Sequence, residues 1–75
     1  MVLDFPVYQQ LKEYVAQQGL SPIHMHDACG GQYFTVEQPG EKTADAIRAY
    51  FAPQGVLADF TEDRTSFILL DQPQN

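Results

Sequence analysis

Nine consecutive residues, His24-Met25-His26-Asp27-Ala28-Cys29-Gly30-Gly31-Gln32, hold both histidines and the only cysteine of this chain, with a double glycine beside them. Side chains that bind metals, shuttle protons or attack as nucleophiles are sparse elsewhere. Two kinds of chemistry are open to these residue types. A thiolate at Cys29, tuned by Asp27 or by a nearby helix N-terminus, is a nucleophile or a redox group. Two imidazoles at His24 and His26, joined by the carboxylate of Glu37, are a ligand set for zinc or ferrous iron. Each has a plainer counterpart. Cysteine is among the most buried residue types and is inert when packed against apolar groups. A His-x-His pair on a strand commonly stands on a solvated outer face.

Positioning these groups falls to the elements around them. Asp4 is placed to cap a helix, with Pro6 in the first turn where its missing N–H costs nothing. Phe5, Tyr8, Leu11 and Val15 then recur at helical spacing to about Gln18, and Gly19 is suited to end the helix. Ile23 to Ala28 and Gln32 to Glu37 alternate as strands. Gly30-Gly31 between them predicts a two-residue hairpin loop. Thr43 reads as the cap of a second helix, whose stripe is Ala44, Ile47, Tyr50 and Phe51 and which Pro53 and Gly55 stop. Val56 to Thr61 and Thr65 to Leu70 predict a second hairpin that turns at Asp63-Arg64.

The order αββαββ predicts an α+β two-layer sandwich: a four-stranded, largely antiparallel sheet with two helices on one face. Residues 1–75 make a single domain, with 72–75 as a frayed tail.

Strand alternation divides the nine-residue stretch. With Gly30-Gly31 as the loop, Asp27 faces Phe34, Met25 faces Val36 and Cys29 faces Gln32, all toward the helices. His24 and His26 point the other way, with Tyr33, Thr35 and Glu37, and Glu37 lies directly across from His24. A joint Cys-His site is therefore not expected. Asp27, Cys29, Gly30, Gly31 and Gln32 form one candidate binding group at the turn. In the second hairpin Val56, Ala58, Phe60, Phe67 and Leu69 face the core, while Leu57, Asp59, Ile68 and Leu70 face outward. Tyr33, Leu57, Ile68 and Leu70 make that outer face less polar than a free surface, which predicts a protein partner or a homodimer contact.

Charge and composition narrow the classes further. Ten acidic residues against four basic ones leave a formal charge of −6, which cannot neutralise a run of phosphates. Neither nucleic acid nor a membrane is an expected partner, and no cofactor is implied. One cysteine excludes an internal disulfide, and no basic segment precedes a long apolar run as in a signal peptide. A cytoplasmic location with a reduced thiol is expected.

Asp27-Ala28-Cys29-Gly30-Gly31-Gln32, together with Glu62-Asp63-Arg64-Thr65-Ser66-Phe67, resembles the RDAC family of small acidic bacterial proteins. These follow a His-containing strand with an Arg-Asp-Ala-Cys motif and later carry an acidic-Asp-x-Thr-x-Phe turn. The likeness covers most of the chain. It departs at the motif's arginine, which is His26 here, so no role needing a permanent cation carries over. The resemblance brings no activity with it and directs attention to Asp27 and Cys29. The leading expectation is a small non-enzymatic interaction module. The alternative is a thiol-dependent or metal-binding protein centred on Cys29, His24 and His26.

Overall fold

The structure is a computed structural model that describes residues 3–28 and 30–71. Helix α1 (Phe5–Gln17) leads into the hairpin β1 (Ile23–Ala28) and β2 (Gly31–Val36). Helix α2 (Glu41–Phe51) and a short 3-10 turn (Ala52–Gln54) then lead into the hairpin β3 (Val56–Phe60) and β4 (Ser66–Asp71). The four strands form one antiparallel sheet in the order β1-β2-β4-β3. Each hairpin thus contributes one central and one edge strand, and the α+β arrangement αββαββ is the one its periodicities predict.

Helix α1 ends as its sequence dictates. Gly19 adopts φ +69°, the Leu20 N–H bonds the Val15 carbonyl at 2.9 Å and the Gly19 N–H bonds that of Ala16 at 3.1 Å. This is the left-handed closure that satisfies the last carbonyls of a helix. Helix α2 begins three residues before the expected start. Gly40 is its cap, the Ala44 N–H bonds the Gly40 carbonyl at 3.1 Å, and Thr43 lies buried inside the first turn. Thr43 is therefore a packing residue, because the apolar stripe it shares with Ala44 and Ile47 has to face the sheet.

One core lies between the layers. Leu11, Val15, Ile47 and Phe51 from the helices meet Ile23, Phe34, Val36, Val56, Ala58, Phe67 and Leu69 from the sheet. At its centre Phe34 and Phe67, facing each other across β2 and β4, stack with centroids 4.9 Å apart, and Phe60 packs on Phe67 at 4.7 Å. Such ring pairs add about 1 kcal/mol beyond their burial. The Tyr8 ring covers Phe34, and its hydroxyl donates to the Ile23 carbonyl at 3.1 Å, which fastens α1 to β1.

The first hairpin departs from its expected register. Its pairs are Ile23 with Val36, Met25 with Phe34, Asp27 with Gln32 and Ala28 with Gly31, so Gly31 belongs to β2 and the last pair of the ladder is Ala28 with Gly31. Each strand has slipped by one residue relative to a Gly30-Gly31 loop. The cause lies in cross-strand pairing: this register sets apolar against apolar and polar against polar, whereas the other places Asp27 against Phe34. A slip by one on both strands leaves every side chain on its expected face. The second hairpin turns at Asp63-Arg64 as expected, with Phe60 opposite Phe67 and Leu57 opposite Leu70.

Candidate functional site

The turn group separates into residues with different work. Asp27, on the row expected to face the helices, is exposed near the turn end of β1. Gly30 and Gly31 are exposed, and Gly31 takes φ +125°, a backbone angle that favours glycine. Cys29 lies outside the described residues. Gln32 is turned inward and bound: its Oε1 accepts the Leu3 N–H at 2.8 Å, and its Nε2 donates to the Leu3 carbonyl at 3.1 Å and contacts Met25 Sδ at 3.2 Å. The carboxamide pairs with Leu3 as a neighbouring strand would and holds the segment leading into α1 against the sheet. Gln32 is thereby an anchor of the fold.

The two histidines do not converge. Glu37 lies just past β2, and Thr35 is the residue directly across from His24. Glu37 reaches His24 diagonally, with Oε1 3.4 Å from Nε2, and both side chains are about half exposed, so the pair adds little to stability. His26 is engaged elsewhere. Its Nε2 hydrogen-bonds Thr35 Oγ1 at 2.9 Å, and its ring stacks on Tyr33 at 4.8 Å and 13°. Among the described residues, no three His, Cys, Asp or Glu side chains gather as metal ligands. His24, His26 and Glu37 are thus an exposed imidazole–carboxylate contact and a separate stacked imidazole, because the slipped register moves Glu37 off the row it was expected to share.

The outer sheet face gathers four of the five exposed large apolar side chains among the described residues. Tyr33, Leu57, Ile68 and Leu70 all project from it, and each keeps between 38% and 41% of its surface exposed. Carried one residue beyond its Phe34–Phe67 pair, the β2–β4 register sets Tyr33 beside Ile68, and both line one groove. The middle row across the sheet then reads His26, Tyr33, Ile68, Asp59. A groove of about 380 Å³ opens on the β3–β4 half, lined by residues that include Tyr33, Asp59, Thr61, Ser66 and Ile68. Among the described residues, no lysine or arginine stands on this face. Lys12 belongs to α1, Lys42 and Arg48 to α2, and Arg64 pairs with Glu41 of α2 at 3.2 Å. Strand alternation alone turns Asp59 outward, but its place in the His26 row depends on how the two hairpins dock, which no local pattern encodes.

A second polar cluster forms the β3–β4 turn. Asp63 Oδ1 accepts the Thr61 hydroxyl at 2.8 Å, the Thr65 hydroxyl at 2.7 Å and the Thr65 N–H at 3.1 Å. These donors, led by the Thr65 and Thr61 hydroxyls, hold the Asp63 carboxyl below its usual range. The bonds lie within the turn and shape the loop.

Fold and surface together place the chain in the class of small α+β two-layer sandwiches with one open sheet face. No protein-family model, curated protein or solved structure matches it. No helix of the described residues is long and apolar enough to cross a membrane.

Proposed function

We propose that this chain is a small non-enzymatic interaction module of the bacterial cytoplasm that meets another protein surface through its open sheet face. The observation that carries the reading is the patch formed by Tyr33, Leu57, Ile68 and Leu70, which stand together on the face opposite the core. Single exposed apolar residues, such as Phe5 on α1, are ordinary on a protein surface. A contiguous patch rimmed by polar groups is characteristic of interaction sites. The lack of lysine and arginine on the face disfavours nucleic acid and anionic lipid as its occupant. The same reading takes the likeness to the RDAC family as a relationship, in which the Asp27–Gln32 motif serves the architecture of the first hairpin.

The experiment is sedimentation across a range of concentrations, combined with pull-down by wild-type chain and by Leu57→Glu. Self-association or a captured protein that the variant loses is the expected result. A strict monomer whose variant loses no partner overturns the reading.

A further inference from the structure

We propose that the occupant of the open sheet face is a second copy of this chain, packed face to face about a two-fold axis parallel to the strands. The inference rests on the reading of that face as an interaction surface and names its partner.

The strand order β1-β2-β4-β3 puts the midline of the sheet between β2 and β4. Rotation about an axis along this midline lays β1 over β3 of the other copy and β2 over β4, and keeps each residue's height along the strands. The middle row is His26, Tyr33, Ile68, Asp59. Under the rotation His26 meets Asp59 of the second copy, Tyr33 meets its Ile68, and both contacts occur twice. The row is a base, an aromatic ring, an aliphatic and an acid, so it is complementary to its own reverse. His26 spends Nε2 on Thr35, and its Nδ1 makes no hydrogen bond among the described residues, which leaves it free for a carboxylate.

Shape agrees with charge. The stacked rings of His26 and Tyr33 stand on the β1–β2 half of the face. The groove has Tyr33 at its β2 side and extends over Asp59, Ser66 and Ile68 on the β3–β4 half. The same rotation sets each His26–Tyr33 stack over the other copy's groove. Carried further along the strands, the same β2–β4 register brings Leu70 over Gly31, where no side chain competes for the space. At the other end Thr35 comes over Ser66, polar on polar.

The other two-fold axis available to stacked sheets runs across the strands. It sets His26 over His26 and Asp59 over Asp59, and turns the polar end of the face onto Leu57 and Leu70. Two carboxylates opposed at an interface are costly, so the Asp59 pair selects the strand-parallel axis. Of the ten acidic residues only Glu37 and Asp59 stand on this face. Repulsion between two chains of charge −6 thus acts mostly from a distance, where physiological salt screens it. Four strands about 4.8 Å apart and some five residues long present a plan area of about 300 Å². Stable interfaces bury more, so association is expected in the micromolar range or weaker.

The test is sedimentation of the full chain from about 10 μM to about 1 mM, with His26→Asp, Asp59→His, the two combined, and Ile68→Glu. Each single charge substitution opposes two acids or two imidazoles and is expected to weaken the dimer about tenfold. The combined swap is expected to return it to within about threefold of wild type. His26 and Asp59 lie on opposite edge strands, about 14 Å apart within one chain, so recovery has to arise between chains. A dimer lost in Ile68→Glu without recovery in the swap overturns the proposed arrangement. A dimer indifferent to Ile68→Glu overturns both the arrangement and the choice of face. A chain that stays monomeric, yet loses a pulled-down partner in Ile68→Glu, overturns the second copy as occupant and leaves the interaction reading standing.

Discussion

Gln32 grips Leu3 by both of its backbone polar groups, 29 positions apart in the chain, with the carboxamide accepting at 2.8 Å and donating at 3.1 Å. Leu3 is only 5% exposed, so its N–H and C=O need protein partners where water is scarce. Gln32→Ala removes both bonds at once. The expected loss is about 1–2 kcal/mol, seen as a fall in Tm of roughly 5–10 °C in a chain of this size. Gln32→Glu keeps an acceptor for the Leu3 N–H but sets a carboxylate against the Leu3 carbonyl, so it should also destabilise. Tm values at or above wild type for both variants would remove the anchoring role.

Gly19 offers a test of the helix stop. Its φ of +69° falls in the left-handed region, and no atom lies within 4 Å of where a Cβ would stand. Gly19→Ala therefore meets no clash and reports the backbone term alone. It should cost about 1 kcal/mol. Urea denaturation with an unchanged m-value and a lower midpoint is the expected signature.

The β3–β4 turn should make stability depend on pH at the acid end. The Thr65 and Thr61 hydroxyls and the Thr65 N–H lower the Asp63 pKa from its ordinary 3.8. A depressed carboxylate contributes stability that is present above the unfolded-state value and is lost as pH falls through the folded-state value. Thermal melts below pH 4 should show this loss in wild type, and Asp63→Asn should flatten that limb while lowering Tm near neutrality. An unchanged acid limb in Asp63→Asn would assign the dependence to other carboxylates.

Ser21 ties the start of β1 to the loop after β2. Its buried hydroxyl accepts the Gln38 N–H at 2.7 Å and donates to the Pro22 carbonyl at 3.0 Å. Ser21→Ala leaves the Gln38 N–H without this acceptor. A loss of about 1–2 kcal/mol is expected, with faster amide exchange at Gln38 as the local readout. Unaltered exchange at Gln38 would show that solvent replaces the hydroxyl at no cost.

Period and punctuation were enough for the elements themselves. Helical spacing through Tyr8, Leu11 and Val15, and strand alternation through Ile23–Ala28 and Val56–Phe60, each report a single buried face, so they can be read without neighbours. The division of the nine-residue stretch, with Asp27 and Gln32 on one side of the sheet and His24 and His26 on the other, was readable for the same reason: alternation survives a paired slip in register. Thr43 was harder, because a threonine that caps a helix and one that packs inside its first turn look alike in sequence.

What the amino-acid sequence determined by itself was the kind and order of the elements, the side of the sheet on which each residue stands, and the acidic balance that disfavours phosphate-rich partners. The tertiary structure alone decided the register of the first hairpin, because the glycine turn signal there gave way to the opposition of Ile23 with Val36 and Met25 with Phe34. It also decided what Gln32 does, since Leu3 comes near only when the chain has folded back. Finally, it placed His26, Tyr33, Ile68 and Asp59 in one row. Those residues span both hairpins, and their alignment follows from how β2 docks on β4 through the Phe34–Phe67 stack, a contact between segments that no local pattern connects.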